Sequence, residues 1–183
     1  MSSEKQVPFV TWLESVRDSN DQAYSRSTLA ILRRGSASAP GEDANVLRYV
    51  VPWLPTDAAP WVERPYFTIA PLFALHPLPG GMGDMGSHFR RIQQGKQGED
   101  AIERRFTALL NTHEDELAWH LRQAVSLCKV NVVPVNWHAL FDAIRGWSRP
   151  NRWVQRNWAQ SFWSRTVETH KAAETDVETQ AQP

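Results

Sequence analysis

Apolar side chains recur along most of this chain at intervals of three and four residues, the spacing of a single helix face. The stretch "FVTWLESVRDS" from Phe9 predicts a first helix. Asn20 is placed to cap a second, "DQAYSRSTLAILRR", which Gly35 stops. In that helix Tyr24, Thr28, Ile31 and Leu32 share a face, with Arg26, Arg33 and Arg34 roughly opposite. "GSASAPGED" and "LPTDAAP" read as loops, and between them "NVLRYVVPW" is a short helix or an extended turn ending before Pro52. "WVERPYFTIAPLFAL" is apolar enough to be buried, but its form is ambiguous. Pro65 suits a helix start, whereas Pro71 would kink or end a helix. "HPLPGGMGDMG" reads as a flexible loop and as the boundary between two lobes.

The second half is more regular. "SHFRRIQQ" predicts a short helix, and "EDAIERRFTALLN" places Ile102, Phe106, Leu109 and Leu110 on one stripe. Thr112 has the position of an N-cap, with Asp115 three residues on as an aspartate version of the capping box. The next helix turns Leu117, Leu121, Ala124, Val125 and Cys128 inward and Trp119, Arg122, Ser126 and Lys129 outward. Asn136 caps another, with Val135 and Leu140 as a hydrophobic staple, and Trp137, Leu140, Phe141, Ile144 and Trp147 repeat at helical spacing. No segment alternates with the period of two that a strand requires, so the expected fold is all-α. The expected organisation is an N-terminal helical lobe over residues 1–84, a C-terminal bundle over 85–171, and a disordered acidic tail over 172–183.

Bulk properties narrow this picture. A chain of 183 residues with 42% hydrophobic content can bury a core as one domain or two small lobes. A single cysteine, Cys128, permits no intrachain disulfide and fits a reducing compartment. The start, "MSSEKQVPFVTW", lacks the apolar run of a secretory signal, and no stretch approaches the roughly 20 apolar residues of a membrane span. The expectation is a soluble, cytoplasmic protein without membrane partners.

Twenty basic and 20 acidic side chains cancel, so any nucleic-acid contact must come from local patches. The charge is unevenly spread. From Arg145 to Arg165 there are five arginines and no acid, interleaved with Trp147, Trp153, Trp158 and Trp163. From Thr166 onward four acids face one lysine, a net of −3. With Asn151 to Arg165 on a helix, Val154, Trp158, Ser161 and Phe162 share one face, and Arg152, Arg156, Ala159 and Trp163 share the other. Outward guanidiniums offer forked donors to phosphates. The same pattern also suits a solvated basic face or a helix packed on an acidic neighbour.

Catalytic signals are weak. "GMGDMG" matches G-x-G-x-x-G but lacks the preceding strand and the distal acid of a dinucleotide site. "HEDEL" has Leu117 where the zinc-protease motif needs its second histidine. His76, His88, His113, His120, His138 and His170 show no tight ligand spacing. No nucleophile elbow or P-loop occurs, and the paired carboxylates Glu99/Asp100 and Glu114–Glu116 sit where helix starts attract acids. The expectation is a non-enzyme with no cofactor and no metal.

Three runs carry a family resemblance: "IERRFTALLNTHEDELAWHLRQAVSLCK", "VPVNWHALFDAIRGW" and "RWVQRNWAQSFW". In order and spacing they resemble the CasB family, the small subunit of the type I-E CRISPR surveillance complex Cascade. "LAILRRG" near the N-terminus fits the same family's early helix, and the likeness extends from about Phe9 to Trp163. The resemblance implies an elongated, two-lobed helical bundle without catalysis. It implies two copies packed against the backbone subunits that hold the guide RNA, near the large subunit, where they stabilise the R-loop on target DNA. Sequence reading is left to guide pairing. Matched onto this chain, the nucleic-acid-binding residues would be Arg33 and Arg34, Arg90 and Arg91, Arg104 and Arg105, Arg122, and Arg152 and Arg156. Lys129 and Arg149 join them on charge and position. Trp119 or Trp163 would stack on a base or be buried against a partner protein. The competing readings are a structural spacer whose basic faces meet acidic proteins, and a free-standing helical DNA-binding regulator.

Overall fold

A computed structural model describes residues 8–95 and 99–164. The expected acidic tail, with His170, lies outside the described residues. Within them the chain forms nine α-helices and no strand, the all-α fold expected. The helices are α1 (Phe9–Arg17), α2 (Gln22–Arg34), α3 (Ala44–Val50), α4 (Pro60–Leu75), α5 (Met85–Gln94), α6 (Glu99–Leu110), α7 (Leu117–Val130), α8 (Trp137–Gly146) and α9 (Trp153–Trp163). Short 3-10 turns follow α2 at Gly35–Ala37 and α3 at Val51–Trp53.

α1 buries Phe9, Val10, Leu13 and Val16, a single face by spacing. α2 is capped by Asp21, one residue past the expected Asn20, whose carboxylate accepts from the Ala23 and Tyr24 amides. Its buried stripe is Ser25, Thr28, Leu29 and Leu32, while Tyr24 is 43% exposed. The expected Tyr24 and Ile31 are displaced because α2 lies against α4.

α4 runs unbroken through both Pro65 and Pro71, which resolves the ambiguous segment. Each proline removes one backbone donor and crowds the preceding turn, at about 3 kcal/mol. Against that, every residue from Phe67 to Ala74 is buried. Phe67, Ile69, Leu72 and Phe73 each contribute about 1.5–3 kcal/mol by leaving water. A helix enclosed by α2, α7 and α8 tolerates breakers that would end an exposed one.

The glycine-rich connection from α4 to α5 is seated, where the composition predicts a loose loop. A Cβ on Gly81 would overlap the Val135 carbonyl, and one on Gly86 would overlap the Trp158 carbonyl oxygen. These glycines permit close backbone approach. Buried His76 joins its Nε2 to the Val133 carbonyl at 2.8 Å. Asp84 and Ser87 form a reciprocal capping box at the start of α5, and Ser161 of α9 donates to the other Asp84 oxygen at 2.7 Å. α5 and α9 are thereby joined along their length.

The inward residues expected for α6, α7 and α8 are buried, apart from half-buried Phe141. Asn136 caps α8 through the Ala139 amide at 3.1 Å, as expected. Thr112 does not cap α7. Its hydroxyl donates back to the Ala108 carbonyl at 2.9 Å, and α7 starts behind Glu116, which makes no side-chain cap. The intervening turn is held from outside, by Arg64 of α4 lying 3.3 Å from Asp115 and 3.9 Å from Glu114.

Candidate nucleic-acid interface

α9 separates Trp158 from Arg156. Val154, Trp158 and Phe162 are buried, with the Phe162 ring tilted against Phe106 at 4.4 Å and Trp158 against Trp147 at 5.2 Å. Arg156 is exposed on the opposite side. Arg152 departs from expectation, because it precedes the helix in a left-handed conformation (φ 48°, ψ 38°). From there its Nη2 donates to the carbonyl of Leu110, the last residue of α6, at 2.8 Å. Trp163 is 48% exposed, with its indole N–H on Glu103 at 2.9 Å and its ring edge-on to Phe106. Gln155, unremarked in the sequence, is buried and donates to the Trp147 carbonyl at 3.0 Å.

The other cations divide by what they touch. Arg33 donates from Nε to the Ala74 carbonyl in the last turn of α4, at 2.9 Å. Arg33 and Arg152 thus both place a positive group on the negative end of a neighbouring helix. Half-buried Arg90 donates to Ser164 Oγ at 2.9 Å, linking α5 to the end of α9. Arg34, Arg91, Arg104, Arg105, Lys129 and Arg149 are exposed, and Arg122 is half-buried. Arg33, Arg34, Arg91, Arg104, Arg105, Arg122, Lys129, Arg149, Arg152 and Arg156 form no ion pair among the described residues. An arginine has five donors, so a single carbonyl bond leaves Arg33 and Arg152 able to engage an anion.

Three surface grooves bring some of them together. Arg149 and Arg152 line one of about 450 Å³ with Thr112, His113 and Glu114. Arg122 and Trp119 line a second, of about 280 Å³, against the turn that follows Arg34. Arg105 and the same Trp119 line a third, of about 370 Å³, together with Phe89, His120 and Gln123. Trp119 is 59% exposed and stands between the last two. Arg34, Arg91, Arg104, Arg156 and Lys129 line none of these grooves. Sequence reasoning missed His120 and Gln123 beside Trp119. Their spacing along α7 places them near it, but only the packing of α6 on α7 encloses them.

His113 and His138 lie 3.2 Å from Asp115 and Glu14 respectively. Burial pushes the His88 imidazole down to about 4 and the Cys128 thiol up to about 12. Among the described residues no three metal-ligating side chains gather, and no helix is long and apolar enough to cross a membrane.

Among the described residues, fold and surface together define an all-helical protein that leaves several guanidiniums without an ion pair, on a chain of zero net charge. The profile of the CRISPR-associated protein Cse2 family matches residues 28–163, and the chain belongs to that family. A CRISPR-associated protein Cse2 of Thermus thermophilus is 31% identical over 157 residues, which are 85% of this chain and 88% of that protein. The crystal structure of CasB from Thermus thermophilus matches with a TM-score of 0.68 and 27% identity, covering 85% of this chain and 97% of that one. A chain of a CRISPR RNA-guided surveillance complex matches with a TM-score of 0.68, over 84% of this chain and 88% of that one. At 24% identity this last likeness is one of fold.

Proposed function

We propose that this protein is a non-catalytic, cytoplasmic subunit of a CRISPR RNA-guided surveillance complex. In this reading it holds nucleic-acid backbone on its basic surface and stabilises the R-loop formed on target DNA. Its partners are a second copy of itself, the backbone subunits carrying the guide RNA, and the large subunit. The residues on either side of the 76–84 connection act as two lobes of an elongated body within that assembly.

One observation carries the reading: Arg34, Arg91, Arg104, Arg105, Arg122, Lys129, Arg149 and Arg156 have no carboxylate partner among the described residues. In a chain with equal numbers of acids and bases, unpaired cations are available to an external polyanion. Arginine dominates the set, which suits phosphate forks better than base reading. Binding by the isolated chain should be sequence-independent and salt-sensitive, with a Kd of roughly 10⁻⁴ to 10⁻⁶ M near physiological salt.

The test is charge reversal of Arg34, Arg104, Arg105 and Arg156 in a reconstituted complex. A gel-shift titration with target duplex should show weakened binding, while guide-RNA loading and subunit incorporation persist. Full incorporation with unchanged target binding would favour the spacer reading. Failure to incorporate would reassign these arginines to protein interfaces.

A further inference from the structure

The groove between α6 and α7 has a chemistry that a phosphate track alone does not require. Its floor is apolar, built from Phe89, Leu109 and Leu127. Its rim carries Trp119, His120, Gln123 and Arg105, and no carboxylate of the described residues lines it. The Trp119 indole and the His120 imidazole lie nearly perpendicular, at 83°, with ring centroids 4.8 Å apart. On the other side of Trp119 lies Arg122, and neither Arg105 nor Arg122 has a partner among the described residues.

We propose that this groove receives one unstacked nucleobase of a single strand, stacked on Trp119, while Arg105 and Arg122 hold the phosphates on either side of it. The inference rests on the nucleic-acid-binding reading above and names the form of nucleic acid the site takes. A cavity of about 370 Å³ is of the size that encloses small planar ligands, and an apolar floor favours a base over a sugar or a phosphate. His120 and Gln123 between them offer both donors and acceptors to a base edge. An aromatic flanked by two unpaired guanidiniums matches the alternation of base and phosphate along a strand. An acidic protein segment would also meet the arginines. It would leave the apolar floor and the amide and imidazole of the rim without a matching group, so the nucleobase fits more of the site.

The experiment uses the full chain and two fluorescein-labelled probes: an oligothymidylate, and an abasic strand of equal length that keeps every phosphate. Wild type should bind the base-bearing strand about 5- to 150-fold more tightly, the range that stacking of one base on an aromatic supplies. Trp119→Ala should bring the ratio close to one, and Trp119→Phe should retain most of it. Trp61→Ala, which changes a more exposed tryptophan outside the groove, should leave it unaltered. Arg105→Glu and Arg122→Glu should weaken both probes alike. Equal binding of both probes by wild type, or a ratio that survives Trp119→Ala, overturns the base pocket and leaves the phosphate track standing. Failure to bind either probe overturns the nucleic-acid reading itself. If Trp119→Ala leaves the ratio intact and instead prevents incorporation into the complex, the groove is a protein-docking site and the proposal is wrong.

Discussion

Acidification should destabilise this protein through one buried imidazole. His88 is 1% exposed, and neither of its ring nitrogens makes a hydrogen bond of normal geometry, although the nearby Met82 backbone favours the charged ring a little. Burial pushes its pKa down to about 4. Asp84 opposes that shift, and Arg91 and His76 reinforce it. In the unfolded chain a histidine titrates near 6.5. The folded form therefore binds fewer protons than the unfolded form between those two values, and stability falls as pH falls through that window. Above about 6.5 the contribution is fully present, and below about 4 no more is lost. At 1.36 kcal/mol per pH unit the gap amounts to about 3 kcal/mol in all, of which about 2 kcal/mol is lost by pH 5. The assay is urea denaturation near pH 7.5 and near pH 5, on wild type and on His88→Leu. The leucine fills comparable space and cannot titrate, so the other ionisable groups cancel in the comparison. Wild type should lose about 2 kcal/mol more than the variant on acidification. Equal losses in the two proteins would show that His88 is not held neutral by burial, and the reasoning would fail.

Gly86→Ala should destabilise the fold by about 3 kcal/mol, because its new methyl meets the backbone of α9 and neither helix can yield cheaply; chemical denaturation measures it. Arg152→Ala should cost about 1 kcal/mol through the lost bond to Leu110, whereas Arg156→Ala should stay within about 0.5 kcal/mol; equal effects would contradict the two placements. Cys128, fully buried with its thiol pushed up to about 12, should react with a thiol reagent only at the rate of unfolding, and fast labelling of the native protein would disprove its burial.

The amino-acid sequence by itself determined the all-helical class, the bounds of most helices and the inward stripes of α6, α7, α8 and α9. Those features rest on local periodicity and on caps that a few neighbouring residues supply, as Asn136 does for α8. Tertiary structure decided the rest. Whether Pro71 ends a helix depends on how completely its neighbours enclose it, and enclosure is set by α2, α7 and α8. Gly81 in the α4–α5 connection and Gly86 in the first turn of α5 read as freedom in sequence and act as close contacts in space, because Val135 and Trp158 arrive from more than fifty residues away. Arg33 and Arg152 read like the other outward arginines until the ends of α4 and α6 are brought beside them. The groove around Trp119 exists only where α6 lies on α7. Helical spacing assigns a side chain to a face of its own helix, but the partner of that face comes from distant parts of the chain, and burial, pairing and site chemistry are properties of the pair.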